Sequence, residues 1–206
     1  MSLFIPTYFS PISQYAAIVQ SDEVLFENED NFQKQSYRNR CYIFGANGKQ
    51  LLNVPVKNTN KEGKRKTKDT LIENDSPWQS QHSKSLQSAY RRSPFFEFYI
   101  DDLQPIFEKK YKYLTDLNID SYLFLTDALQ TNQTYSKTEE FFLEPKQKDF
   151  RNLASVKQHP DFQMENYIQM FDEKHGFITN LSMLDLLFME GPNSISFLEK
   201  IELTLG

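Results

Sequence analysis

The sequence predicts an α/β fold: a small mixed or mostly parallel sheet flanked by helices, with a β-hairpin in the N-terminal half and a helical C-terminal half. Three observations predict it. Short apolar runs at residues 3–5 and 24–26 bracket a stretch with apolar residues at 12, 15, 16 and 19. That is strand, helix, strand within a short span, the opening of a layered α/β arrangement. A period-two alternation over 38–44 then meets turn residues and a further apolar run, as a hairpin does. Beyond residue 78 the apolar spacing is helical.

Taken in order, the first strand over 3–5 is stopped by Pro6, and residues 7–11 form a loop. The helix over 12–19 is broken by Ser21-Asp22, and 24–26 is a second buried strand. From Arg38, the side chains of Arg38, Arg40, Tyr42 and Phe44 face one way, and Asn39, Cys41 and Ile43 the other. Residues 45–48 turn the chain into a return strand over 51–56. Residues 57–68 hold seven charged side chains, six of them basic, and no apolar one. They read as an exposed loop, with a phosphate-binding patch as the lesser alternative. Residues 70–72 are a short strand candidate. Helices follow over 78–92, ended by Ser93-Pro94, over 95–113 with a break near Pro105, and over 116–129. Residues 130–163 are mostly polar and offer only Phe141-Phe142-Leu143 as a strand. Ser182 with Asp185 three residues on is a capping-box start for a helix that Gly191-Pro192 stops, and Asn193 or Ser194 caps a last helix to 201.

Composition narrows the function. A chain of 206 residues favours one domain over 1–206. Its net charge of −5 argues against general nucleic-acid binding. A single cysteine excludes an intrachain disulfide, and three scattered histidines give no metal site. No apolar run is long enough for membrane insertion, and the N-terminus has no basic signal-peptide region, so the expected location is cytoplasmic. Neither a glycine-rich phosphate loop nor a nucleophile elbow is present, so no cofactor can be named.

Four stretches together carry a family resemblance. They are Pro6-Thr7-Tyr8-Phe9-Ser10-Pro11 with Tyr15 and Ser21-Asp22-Glu23-Val24, then residues 31–40 followed by Leu52-Asn53-Val54-Pro55-Val56-Lys57. Next come Trp78-Gln79 with His82, leading through 86–90 to Ser93-Pro94-Phe95-Phe96, and finally residues 177–188. In this order they resemble the WbqC-like proteins, over most of 5–118 and 175–198. The departures are Ser13-Gln14, where many members place a glycine before the aromatic, and 130–165, which lacks the family's Ser-Gly and Tyr-Leu signatures. The resemblance implies a role in bacterial surface-polysaccharide (O-antigen-type) biosynthesis, with glycine transfer proposed for some members.

The chemistry-bearing residues are weighed beside it. Lys34, Arg38 and Arg40 offer an anion clamp, with Gln33 and Asn39 as neutral donors and acceptors. The alternative is that these arginines meet Glu27, Glu29 and Asp30. His82, one turn from Trp78, is the candidate general base. Its alternative is a histidine fixed by a hydrogen bond. Asp185 is either the capping-box acid or a catalytic carboxylate orienting His82 or a substrate amine. Tyr8 lies where a first strand ends and lines a site or packs in the core. Tyr90 and Arg91 complete a pocket or simply pack and solvate, whereas Cys41 reads as a buried inert thiol. Two functional readings follow. One is a transferase forming an amide between an aminoacyl or acyl donor and an amino sugar, its substrate a small molecule such as a nucleotide-sugar or activated acyl donor. The other is a non-enzymatic nucleotide- or glycan-binding scaffold of the same pathway.

Overall fold

The structure, a computed structural model, describes residues 1–58, 65–157 and 161–204. It is mixed α/β. Strand β1 (Ser2–Phe4), helix α1 (Ile12–Val19) and strand β2 (Val24–Phe26) form the predicted opening unit. The chain then makes an antiparallel hairpin, β3 (Arg40–Gly45) and β4 (Gly48–Asn53), followed by α2 (Trp78–Tyr90), α3 (Phe96–Glu108) and α4 (Leu114–Ala128). Strands β5 (Tyr135–Lys137) and β6 (Lys148–Asp149) come next, with a 3-10 turn over Arg151–Ala154. Strand β7 (Asp161–Gln163), helices α5 (Asp172–His175), α6 (Met183–Glu190) and α7 (Ser194–Lys200), and strand β8 (Glu202–Thr204) complete the chain.

The main sheet has the order β5-β2-β1-β6 and is parallel throughout. Strands β1 and β2 are buried along their whole length, which is why they read as continuous apolar runs. Strand β7 pairs antiparallel with β8. One apolar cluster joins α1, the central strands, α2 to α4 and α6, with Tyr8, Phe9, Tyr15 and Tyr90 fully buried within it. Phe9 stands at φ 41°, a conformation bulky side chains rarely adopt, and Ser182 Oγ donates to its carbonyl. This pins the loop that follows β1.

Several expectations are corrected. The return strand of the hairpin is 48–53, not 51–56, because Ala46-Asn47 closes the turn with Gly48 at φ 96° and Pro55 has no N–H for a ladder. The alternation starts at Arg40 rather than Arg38, since residues 36–39 are folded back as a turn, with the Asn39 N–H on the Ser36 carbonyl. Residues 70–72 make only isolated bridges, Leu71 with Tyr113 and Ile72 with Val56. Helix α3 runs through Pro105 without a break. Phe141-Phe142-Leu143 is not a strand; the polar segment instead supplies β5 and β6 at the two sheet edges. Part of the basic 57–68 stretch lies outside the described residues. Within 65–68, Lys66 and Lys68 Nζ each lie 2.5 Å from Glu29, whose carboxyl their hydrogen bonds hold below its usual range.

Gly191 ends α6 at φ 53°, and a Cβ there would lie 2.5 Å from the Phe95 ring. Both the conformation and the space require glycine. Gly191→Ala is therefore expected to lower stability by about 2 kcal/mol or more, read from the urea midpoint. A shift below about 0.5 kcal/mol would show that the ring yields freely.

Candidate functional site

In a parallel sheet the carboxyl ends of the strands share one edge, and a crevice opens where the strand order reverses. Here that point lies between β1, from which the chain goes to β2, and β6, added last on the other side. A polar cleft of about 390 Å³ sits there, bounded by Ile5 just after β1 and Asp149 at the end of β6. Asp30, Asn31, Gln33 and Arg38, from the segment after β2, form a second wall. Phe141, Arg151, Asn152 and Ser155 form the third.

The second wall is built around a buried ion pair. Arg38 Nη2 donates to Asp30 Oδ2 with the two side chains only 3% and 8% exposed. Arg38 Nη1 reaches Ser36 Oγ at 3.3 Å. Asn118 Nδ2 fixes the backbone by donating to the carbonyls of Arg38 and Pro6 at 2.9 and 3.0 Å. Among the described residues, Arg38 Nε and Asp30 Oδ1 have no hydrogen-bond partner although both are buried. Such atoms are costly to leave unpaired and are met by a ligand or by water.

The third wall comes from the segment that looked least informative. Arg151 makes a forked contact with Asp149 (Nε to Oδ1 2.9 Å, Nη2 to Oδ2 2.7 Å) and donates from Nη1 to the Phe142 carbonyl at 2.8 Å. Its guanidinium lies over the Phe141 ring. Behind it stands Glu27, fully buried at the end of β2, 3.5 Å from Arg151 Nη1 and bonded to Thr138 Oγ1 at 2.7 Å. Burial opposes ionisation of Asp149, yet hydrogen bonds from Arg151 outweigh it and hold that carboxyl below its usual range. Arg151 thereby staples the Phe141 segment to the sheet edge, and Phe141 keeps 49% of its surface exposed.

Of the predicted residues, only Gln33 and Arg38 line this cleft. Lys34 and Arg91 are exposed elsewhere and Arg40 lies on β3, so the three cations proposed as one clamp do not line one cleft. Asn39 is turned inward, its amide donating to Asn53 Oδ1 and the Val54 carbonyl. His82 is buried between Trp78 (rings 5.3 Å apart) and Tyr8, whose hydroxyl lies 3.0 Å from Nδ1. Burial pushes its pKa down to about 4, against a hydrogen bond to the Asn53 backbone that raises it. His82 is therefore a neutral imidazole, accepting from Tyr8 and donating to Asn53. Tyr8 is fully buried, and burial keeps its hydroxyl protonated.

Asp185 is not a capping-box acid. Ser182 Oγ caps the helix through the Leu184 N–H, while the Ser182 N–H goes to the Tyr42 carbonyl. The Asp185 carboxylate points inward and accepts from Tyr90 and Tyr167 hydroxyls, both at 2.5 Å, and from Gln169 Nε2 at 3.2 Å. It does not meet His82. Cys41 is buried, and burial raises its thiol pKa far above the usual value, as expected of an inert side chain.

The model of the WbqC-like protein family matches residues 6–168, which include every residue lining the cleft except Ile5. The chain belongs to the WbqC-like family. No curated protein and no solved structure matches it. The match runs through residues 130–165, where the expected WbqC-like signatures are missing, and so covers Phe141, Asp149 and Arg151. It stops before α6. Among the described residues, no helix is long and apolar enough to cross a membrane.

Proposed function

We propose that this WbqC-like protein is a transferase of surface-polysaccharide assembly, and that the cleft seats a polar acceptor such as an amino sugar. The supporting observation is the pair of buried, unpartnered atoms on its wall, Arg38 Nε and Asp30 Oδ1. One donates and the other accepts, which suits a ligand carrying hydroxyl, amide or amine groups. Charge balance points the same way. Arg38 is matched by Asp30 and Arg151 by Asp149, with Glu27 behind, so little free positive charge remains for a diphosphate. In the proposed step the acceptor nitrogen attacks the acyl carbonyl of an activated donor. The C–N bond forms, the bond to the leaving group breaks, and the Asp30 carboxylate takes the nitrogen's proton. The rival reading, a binding module, draws on the burial of His82 outside the cleft.

The test is a thermal-shift and turnover panel of amino sugars, nucleotide-sugars and aminoacyl or acyl-CoA donors, with and without magnesium. A ligand at about 100 times its Kd stabilises by roughly 2.7 kcal/mol. Gln33→Ala and Asn152→Ala, which leave the ion pair intact, are expected to abolish the shift. Asp30→Asn, compared at a temperature where its urea midpoint shows it folded because it leaves Arg38 without its counter-ion, is expected to lose turnover about 100-fold or more. Binding without turnover in the unaltered chain selects the binding module. A ligand whose effect ignores both Gln33 and Asn152 removes the cleft from consideration.

A further inference from the structure

Away from the cleft, α3 and α4 pack side by side and frame a trough. Its two parts, of about 560 and 590 Å³, share Asp102, Phe124 and Asp127 and so form one depression. The apolar side chains along it are Pro105 and Ile106 from α3, Leu123 and Phe124 from α4, and at the far end Leu129 and Ile195, with Ile106, Phe124 and Leu129 nearly buried beneath the others. Leu123 is 44% exposed. Phe98, 74% exposed, sits one turn before Asp101 and Asp102 on the same stripe of α3. Large apolar side chains grouped this way at a surface mark an interaction site more often than chance.

The rim gives the occupant its chemistry. Helix α3 carries Glu97, Asp101, Asp102 and Glu108, and α4 carries Asp116, Asp120 and Asp127; neither helix contains a lysine or arginine. Lys109 neutralises Asp120 at 2.6 Å. Asp101, Asp102 and Asp127 have no ion-pair partner among the described residues. Carboxylates around an apolar trough focus a negative field along it.

We propose that the trough is a docking groove for a basic amphipathic helix of a partner protein. The groove follows residues 101–109 and 120–128, about 12 Å along each helix. A guest helix of two to three turns presents its apolar stripe at i, i+3, i+4 and i+7 over that length. Lysines flanking the stripe then meet Asp101 and Asp102 on one side and Asp127 on the other. An acidic guest is repelled by the same three groups. A second copy of this chain brings a net charge of −5, and its own α3 and α4 offer no cation.

The experiment uses the full chain and a labelled synthetic peptide of leucine and lysine, leucines at helical spacing, beside a scrambled peptide of identical composition. The amphipathic peptide is expected to bind at least about tenfold more tightly than the scrambled one. Leu123→Ser is expected to weaken it about tenfold, and Asp101→Asn/Asp102→Asn/Asp127→Asn to do the same while removing most of its salt dependence. These side chains are at the surface, so unchanged unfolding midpoints verify folding. Equal binding of the two peptides reduces the groove to a charge effect and overturns the proposal. Indifference of the peptide to both variants also overturns it. Self-association of the chain that the triple variant abolishes assigns the groove to a second copy instead.

Discussion

Replacing Arg38 by alanine is expected to lower the unfolding free energy by about 3–5 kcal/mol, because it leaves the Asp30 carboxylate buried without its cation. For a domain of this size that is a fall of roughly 6–20 °C in Tm. Away from the cleft the pair is enclosed: residues 65–67 run beside Asp30 through the Thr67 N–H to the Asp30 carbonyl, and Asn118 holds the Arg38 carbonyl. Water therefore cannot replace the guanidinium cheaply. The neutral double variant Asp30→Asn/Arg38→Gln keeps a hydrogen bond and most of the volume, and should recover to within about 2 kcal/mol of the unaltered chain. Trp78, the single tryptophan and buried, reports urea unfolding of the four proteins of the cycle (the unaltered chain, Asp30→Asn, Arg38→Gln and the double variant) and of Arg38→Ala beside them. A cost below about 1 kcal/mol for Arg38→Ala would show the pair to be well hydrated, and the cleft to be an open surface. The cycle also bears on function. Loss of ligand binding in Arg38→Ala alone confounds folding with contact, whereas loss in the folded double variant identifies a contact.

How much of this was legible depends on which physical signal each part leaves in sequence. Strands β1 and β2 are buried on both faces, so their apolar runs announce them, and α1 shows helical spacing of its apolar residues, although its burial all round, Ser13 and Gln14 included, leaves no such mark. Strands β5 and β6 are exposed edge strands of three and two residues. They pair through backbone and carry no alternation, so nothing in their side chains separates them from loop. Half of the candidate site was hidden with them. Asp149 and Arg151 are two residues apart in a polar stretch, a spacing too common to notice without the sheet edge that orients it. Residues 33–40 stand out in the sequence for their density of donors, and a pairing of Arg38 with Asp30 is among the alternatives it offers, but no local pattern tells that the pair is buried. Asp185 illustrates a different failure. A carboxylate three residues after a serine fits a helix start, and only the tertiary positions of Tyr90 and Tyr167, far away in sequence, turn it inward.

That inward turn sets up the second large effect. Asp185→Ala removes the acceptor of Tyr90, Tyr167 and Gln169 at once, and is expected to cost about 3–5 kcal/mol. Asp185→Asn still accepts from two of them and should cost about 1–3 kcal/mol. The pH dependence separates charge from packing. Burial raises the Asp185 pKa to about 6, against hydrogen bonds that lower it, from 3.8. The folded state then binds the proton more readily than the unfolded one. The stability this group contributes is complete below about pH 4 and is lost as pH rises through 6, a change of roughly 3 kcal/mol. His82 runs the other way. Its folded pKa of about 4 lies below the usual 6.5, so its contribution is present above 6.5 and disappears as pH falls through 4, again by roughly 3 kcal/mol. In the unaltered chain the two slopes oppose each other across much the same window. Asp185→Asn should therefore unmask a steep loss of stability between pH 6.5 and 4. His82→Gln, which keeps a donor and an acceptor toward Asn53 and Tyr8, should unmask a gain over that interval. Urea midpoints of the three proteins at half-unit pH steps decide it. Parallel pH profiles for all three would mean that neither group changes charge in the folded protein, and that other carboxylates govern its acid stability.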